Sequence, residues 1–257
     1  MLQQETKNEI AATLDEAAFS ATATGQISQN QSFDLADAYA IQAASLDRRH
    51  GRGEKLTGFK LGFTSKAKME QMGVHEIIWG RLTDRMAIEN GGQLHRSKHI
   101  HPRVEPEIAF LIGRPIERAL SVDEVAGYLE GVAGALEIID SRYENFKFSL
   151  EDVIADNCSS AAYVLGEWQH PTTDVVNVSI EMKINGELSQ AGSSSAILGN
   201  PLAALAEITR ILSEQKIIIK AGMIILAGAA TPAVYVNAGD RIEGTFTGLG
   251  GVKLTVK

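Results

Sequence analysis

Glu105 and Glu107, separated by Pro106 inside the apolar run Val104-Glu105-Pro106-Glu107-Ile108-Ala109-Phe110, are the residues whose type and spacing most directly imply chemistry. A strand projects residues i and i+2 to one face, so both carboxylates point one way while Val104, Ile108 and Phe110 face the core. Two like charges at that spacing raise each other's pKa unless a cation lies between them, and a hard divalent ion is the usual answer. Two monodentate groups leave such an ion under-ligated, so a third carboxylate is expected. Glu137 is the candidate, because it interrupts the apolar strand Gly134-Ala135-Leu136-Glu137-Ile138-Ile139, where an unpaired buried carboxylate costs several kcal/mol. Oxygen donors without Cys or His spacing nearby favour Mg²⁺ or Mn²⁺ over Zn²⁺. Paired strand glutamates are more often a solvated face or salt-bridge partners, and the residues alone leave that use open. His99 and His101 qualify as further ligands on sequence proximity only.

A second group is Lys60, the odd member of the glycine-flanked apolar strand Gly58-Phe59-Lys60-Leu61-Gly62-Phe63-Thr64-Ser65. Pointing inward, it is a buried cation with an acidic partner or a catalytic group with a lowered pKa; at an edge, it snorkels to solvent. A third is the polar cluster Ala155-Asp156-Asn157-Cys158-Ser159-Ser160 ahead of a strand, which suits a turn and helix cap or hydrogen bonds to a ligand. Cys158 is the single cysteine, has no base beside it and reads as structural.

The elements that must position these groups divide into a helical layer over residues 1–55 and a β-rich catalytic region over 56–257, expected to form one continuous unit. Residues 6 to 50 read as helical, with Leu35, Tyr39 and Leu46 on one face and a cap at Ser32 or Asp34. Strands are expected near 56–63, 103–113, 132–139, 161–166, 176–185 and 223–236, and a hairpin from Ala238 to Lys257. Two helices interrupt them: one opened by the capping-box spacing Ser121 to Glu124, one by Asn200-Pro201. The pattern is α+β, without the alternation of a doubly wound sheet. The 257 residues carry 24 Lys and Arg against 32 Asp and Glu, a formal charge of −8, which argues against a general nucleic-acid or anionic-membrane binder. The polar N-terminus lacks signal-peptide character, the longest apolar stretch is broken by Lys220, glycines and Pro232, and a reducing cytoplasm is the expected compartment.

Taken in order, Gly58 to Ser65, the Glu-Pro-Glu strand, Ala135 to Arg142 and Ala155 to Ser160 resemble the fumarylacetoacetate hydrolase superfamily over roughly residues 56 to 250. More narrowly they resemble its 2-keto-4-pentenoate hydratase and 4-oxalocrotonate decarboxylase branch. Ser141 to Phe148 and Leu82 to Met86 are more similar to the decarboxylases. The resemblance implies a mixed β fold of rolled sheets, with Mg²⁺ or Mn²⁺ held by Glu105, Glu107 and Glu137 and with Lys60 in the pocket. It implies metal-dependent decarboxylation of a 2-oxo dicarboxylic acid, 2-oxo-3-hexenedioate, with hydration by a related site as the alternative and a silent partner subunit as a further one. A homo-oligomer and a complex with a paralogous hydratase are the expected assemblies. Pocket candidates on this basis are Asp156 and Ser160, from the Ala-Asp-Asn-x-Ser-Ser motif, and Thr231, after the small residues Gly228-Ala229-Ala230. Thr231 is equally readable as a strand hydroxyl. Leu82 to Arg85 are placed toward the distal carboxylate, with Arg85 as the cation if one is needed. Arg142 is read as an ion-pair partner of Asp140 or a core carboxylate.

Overall fold

The computed structural model describes residues 1–65 and 77–257. Two helices open the chain, α1 (Gln4–Ser20) and α2 (Leu35–Gly51). The continuous helical reading of 6 to 50 is corrected here: α1 ends on Ala21 in the left-handed region, and only a short 3-10 turn, Ile27–Gln29, precedes α2. Asp34 caps α2 by accepting from the Asp37 N–H, satisfying a donor that the first turn leaves free.

Thirteen strands follow among the described residues: β1 (Leu56–Gly62), β2 (Ile78–Thr83), β3 (Ala87–Ile88), β4 (Gln93–Leu94), β5 (Arg103–Ile112), β6 (Leu129–Ile139), β7 (Ser160–Leu165), β8 (Ser179–Ile184), β9 (Glu187–Ser193), β10 (Ile224–Ala229), β11 (Val234–Tyr235), β12 (Arg241–Phe246) and β13 (Gly250–Val256). The expected strand over 223–236 is split into β10 and β11, and β2, β3, β4 and β9 were not foreseen. Three helices lie among them, not two: α3 (Val122–Val125), α4 (Leu150–Ala155) and α5 (Pro201–Glu214). The capping boxes at Ser121 and Ser149 and the Asn200 cap fix where these begin.

The strands form an eight-stranded sheet, β2-β1-β10-β5-β6-β7-β3 with β11 beside β5, and a five-stranded sheet, β4-β13-β12-β8-β9. β2 and β3 lie at opposite edges of the large sheet, yet only the 3-10 turn Asp84–Met86 joins them. The sheet must therefore curl until its edges approach. Two hydrogen bonds mark that approach, Thr57 Oγ1 with Tyr163 Oη at 3.2 Å and the Arg81 N–H to Asn157 Oδ1 at 2.7 Å.

Alternation along each strand then assigns the two faces. Phe59, Val104, Ile108, Phe110, Leu136 and Ile138 face outward into the main core, shared with Phe246 and Val252 of the second sheet and Leu205 and Ile208 of α5. Gly134 lets the sheets meet, since a Cβ there would stand 2.4 Å from the Phe246 ring. The inner face carries Leu82, Met86, Ala109, Ala135, Tyr163 and Leu226 as a separate cluster. Lys60, Glu105, Glu107 and Glu137 share this inner face.

The N-terminal helices belong to a third cluster, in which Ile10, Leu14, Ala38 and Ile41 pack on Ile78, Val153, Ile154 and Cys158. Within it Gln42 of α2, fully buried, donates to the Trp79 carbonyl at 3.1 Å and the Ile154 carbonyl at 2.9 Å.

Candidate active site

Antiparallel pairing of β5 with β6 sets Glu105 directly opposite Glu137 and Glu107 opposite Ala135. The i, i+2 spacing supplies two carboxylates on one face, and the register supplies the third. Each of Glu105, Glu107 and Glu137 offers an oxygen, and the three oxygens lie within 4.8 Å of one another. Glu105 is 7% exposed and the other two are fully buried. The Gly228 N–H donates to Glu107 Oε2 at 2.8 Å, whereas Glu107 Oε1 and Glu137 Oε1 accept no hydrogen bond among the described residues. Burial, then the neighbouring glutamates, pushes the Glu107 carboxyl well above its ordinary range. Burial also pushes Glu137 up, against the pull of Lys60. Buried, oxygen-only donors with unfilled lone pairs fit a hard divalent cation, and this cluster could hold one.

Two backbone irregularities make room for the cluster. β10 shifts register between Leu226 and Ala229, and Gly228 there has φ +100° with its N–H turned to Glu107, a bulge re-aiming a polar group. Pro106 sits inside a central strand, where a missing N–H would ordinarily break the ladder. Its carbonyl accepts from the Ala230 N–H at 3.0 Å. The nitrogen of a strand residue points to the same side as its carbonyl, so the missing donor falls at the interruption between β10 and β11.

Lys60 Nζ lies 3.0 Å from Glu137 Oε2 and donates to the Cys158 carbonyl at 3.3 Å. Burial alone would lower its pKa, but Glu137, Glu107 and Glu105 together outweigh burial and hold it above the ordinary lysine value. The inward reading is correct, and the snorkelling one is not. The carbonyl it meets belongs to a turn in which Asn157, Cys158 and Ser159 all have positive φ, at 49°, 51° and 58°. Left-handed backbone is strained for such residues and persists only where its surroundings fix it. Arg142 supplies one constraint, pairing through Nε with Asp156 Oδ1 and donating to the Asp140 carbonyl at 2.7 Å and the Ser160 carbonyl at 3.1 Å. Cys158 supplies another by donating its S–H to the Trp79 carbonyl at 3.0 Å, and burial pushes its thiol up to about 12.

A cavity of about 120 Å³ opens beside Lys60 and Glu105. Its walls are largely apolar, from Phe63, Ile78, Phe146, Phe148 and Val153, with Thr64, Ser65 and Ser159 as polar groups. Of the residues expected in the pocket, Lys60 and the glutamates converge. The others do not line this cavity. Asp156 is committed to Arg142, which is the core-carboxylate partner expected for that arginine. Leu82 packs into the inner-face cluster with Tyr163 and Leu226. Ser160 is buried behind its neighbour Ser159, and Thr231 donates to the Pro232 carbonyl at 3.4 Å. Arg85 donates to the Arg52 carbonyl at 3.0 Å and, with His99, lines a separate cavity. The His101 ring lies 5.0 Å from that of Phe146, and neither histidine joins the acidic cluster. The aromatic wall was missed: Phe146 and Phe148 sit in a loop with no periodicity to flag them.

Comparison with known proteins agrees with this arrangement. Residues 67–257 match the family model described as fumarylacetoacetate (FAA) hydrolase C-terminal. A 4-oxalocrotonate decarboxylase from a Pseudomonas species is 45% identical over 246 residues, covering 96% of each chain. A 2-keto-4-pentenoate hydratase from Paraburkholderia xenovorans is 36% identical over 220 residues, 84% of this chain and 82% of the relative. The 4-oxalocrotonate decarboxylase from Pseudomonas putida G7, solved in complex with magnesium and adipate, superposes with TM-score 0.96 at 35% identity, over 100% of this chain and 99% of that one. The rolled sheet, the converging carboxylates and these likenesses agree: the chain belongs to the fumarylacetoacetate hydrolase family.

Proposed function

We propose that the protein is a divalent-metal-dependent decarboxylase of 2-oxo-3-hexenedioate, releasing CO₂ and 2-hydroxy-2,4-pentadienoate. The observation that carries this reading is the buried Glu105, Glu107 and Glu137 cluster with Lys60 at the head of a cavity walled by aromatic and aliphatic side chains. The decarboxylase relative solved with magnesium and a six-carbon dicarboxylate supports it. Glu105, Glu107 and Glu137 would hold Mg²⁺ or Mn²⁺, which when bound supplies Lewis acidity toward the C1 carboxylate and C2 carbonyl of a 2-oxo acid.

Loss of CO₂ breaks the C5–C6 bond; its electron pair forms C4=C5, the C3=C4 pair shifts to C2=C3, and the C2 oxygen takes the negative charge. Lys60 Nζ, held by Glu137 and the Cys158 carbonyl, is placed to donate to that oxygen and to manage its proton. Phe63, Phe146, Phe148 and Val153 exclude water from the carbon chain. Water exclusion favours departure of neutral CO₂ over hydration of the same conjugated system. Asp156, expected in the pocket as a catalytic group, acts at a distance in this reading: with Arg142 it fixes the turn whose carbonyl receives Lys60. Ser160, Leu82 and Thr231 take no part in this reading as substrate contacts.

The test is incubation with Mg²⁺ and 2-oxo-3-hexenedioate, following CO₂. Hydration of 2-hydroxy-2,4-pentadienoate without CO₂ release would transfer the assignment to the hydratases. The exposed side chains Phe19, Leu188 and Tyr235, at 75%, 58% and 51%, support the expected homo-oligomer, which light scattering would measure; the hydratase complex and the cytoplasmic location stand as proposals beside it. Among the described residues no helix is long and apolar enough to cross a membrane.

A further inference from the structure

If the substrate is a 2-oxo diacid, the acidic cluster accounts for one end of it and leaves the distal carboxylate to be met by a cation. Lys60 is paired with Glu137 and Arg142 with Asp156, and burial holds His101 below its ordinary pKa and so neutral at physiological pH. Arg103 differs from all three. It stands two residues before Glu105 on β5 and therefore on the same inner face, directly opposite the cavity residue Ile139. Two strand residues span roughly 6.6 Å, about the length of an extended six-carbon diacid.

The Arg103 guanidinium is held between two rings, 3.9 Å from the centroid of Phe146 and 4.1 Å from that of Tyr235. It donates to Tyr235 Oη at 2.5 Å, its Nε is buried without a partner, and no carboxylate pairs with it among the described residues. With two rings packed against it, the guanidinium keeps N–H groups such as Nε for recognition, and its planar edge is what grips a carboxylate in two parallel hydrogen bonds. Phe146 joins the two regions, since one ring stacks on the cation and also lines the cavity. Asn145 and Phe146 have φ of 59° and 57°, so the loop adopts a costly conformation to deliver that ring.

We propose that Arg103, stacked between Phe146 and Tyr235, receives the distal carboxylate and makes this site selective for 2-oxo diacids over 2-oxo monoacids. The proposal rests on the 2-oxo-acid reading of the acidic cluster, and the experiment separates the two. The full chain with Mg²⁺ is titrated calorimetrically with 2-oxoadipate and with 2-oxohexanoate, which has the same chain length without the distal carboxylate. The diacid should bind about tenfold or more tightly, the worth of a charge-assisted pair. Arg103→Met should bring the two affinities together by weakening the diacid alone. Arg103→Lys, which keeps the charge but not the fork, should fall between them and covers the case in which the first variant does not fold. A wild-type chain without diacid preference overturns the proposal, as does Arg103→Met retaining it. Equal weakening of both compounds overturns it too, by reducing Arg103 to a support for Phe146. If the wild-type chain binds neither compound, the reading of the acidic cluster fails first and the Arg103 assignment falls with it.

Discussion

Glu107→Gln should stabilise the metal-free protein while abolishing its response to magnesium. Glu107 is fully buried, and its carboxylate oxygen lies within 4.8 Å of those of Glu105 and Glu137. At an effective dielectric of about 20, one such pair of full charges over 4.8 Å repels by about 3.5 kcal/mol. Lys60 offsets part of this, and a raised pKa lets the folded protein relieve more by keeping a proton. A net gain of about 2 kcal/mol for the variant is therefore expected near pH 8, or roughly 4–8 °C in a chain of this size. Glutamine keeps the oxygen that accepts from Gly228, so the bulge should survive. The sign with pH follows from linkage: a carboxyl raised on folding carries no penalty below its unfolded pKa, and the penalty grows as pH rises toward the folded value. The two proteins should converge near pH 4 and separate above it. Magnesium at about 100 times its dissociation constant should stabilise the wild-type chain by about 2.7 kcal/mol and the variant by nothing measurable. Thermal unfolding in EDTA and in magnesium reads both effects. A variant less stable than wild type in EDTA, or one shifted equally by magnesium, would refute the reasoning.

Magnesium affinity of the wild-type chain should tighten as pH rises above the ordinary carboxylate range, because Glu107 and Glu137 must first shed protons that burial favours; calorimetry giving a flat profile would contradict this. Lys60→Met removes a cation that sits 3.0 Å from Glu137, so magnesium should bind more tightly while CO₂ release falls by about 10²-fold or more. Gly228→Ala combines φ +100° with a Cβ only 2.0 Å from Thr64 Oγ1, and denaturant unfolding should register a loss of about 3 kcal/mol or more.

The acidic cluster was legible because it obeys local rules. Glu105 and Glu107 follow strand alternation, and Glu137 betrays itself as a charge in an apolar run. What sequence withholds is the partner: the register that sets Glu137 opposite Glu105 is a long-range pairing. For Lys60 the sequence left the inward and the snorkelling readings both open, because what decides between them, Glu137 and the Cys158 carbonyl 98 positions away, is long-range. β9 went unnoticed because it is a polar edge strand, with no buried residue in Glu187–Ser193. β2 was hidden by Gly80 and Arg81 inside a short apolar run, and without β2 the inward turn of Leu82 could not be deduced. The aromatic wall lies in a loop, where side-chain direction follows from unusual dihedrals and not from periodicity.

Gln42 changes what counts as the enzyme. The family match begins at residue 67, but the two carbonyls that Gln42 satisfies, on Trp79 and Ile154, flank the turn that receives Lys60. A chain beginning at residue 56 would remove one donor from each of these carbonyls, leaving Trp79 with Cys158 and Ile154 with the Asp156 N–H, and would expose the side of α4 that α2 covers. The N-terminal helices therefore back the turn that holds Lys60, one layer behind the cavity. Variation in α2, far from any reacting atom, should be felt in how firmly Lys60 is aimed.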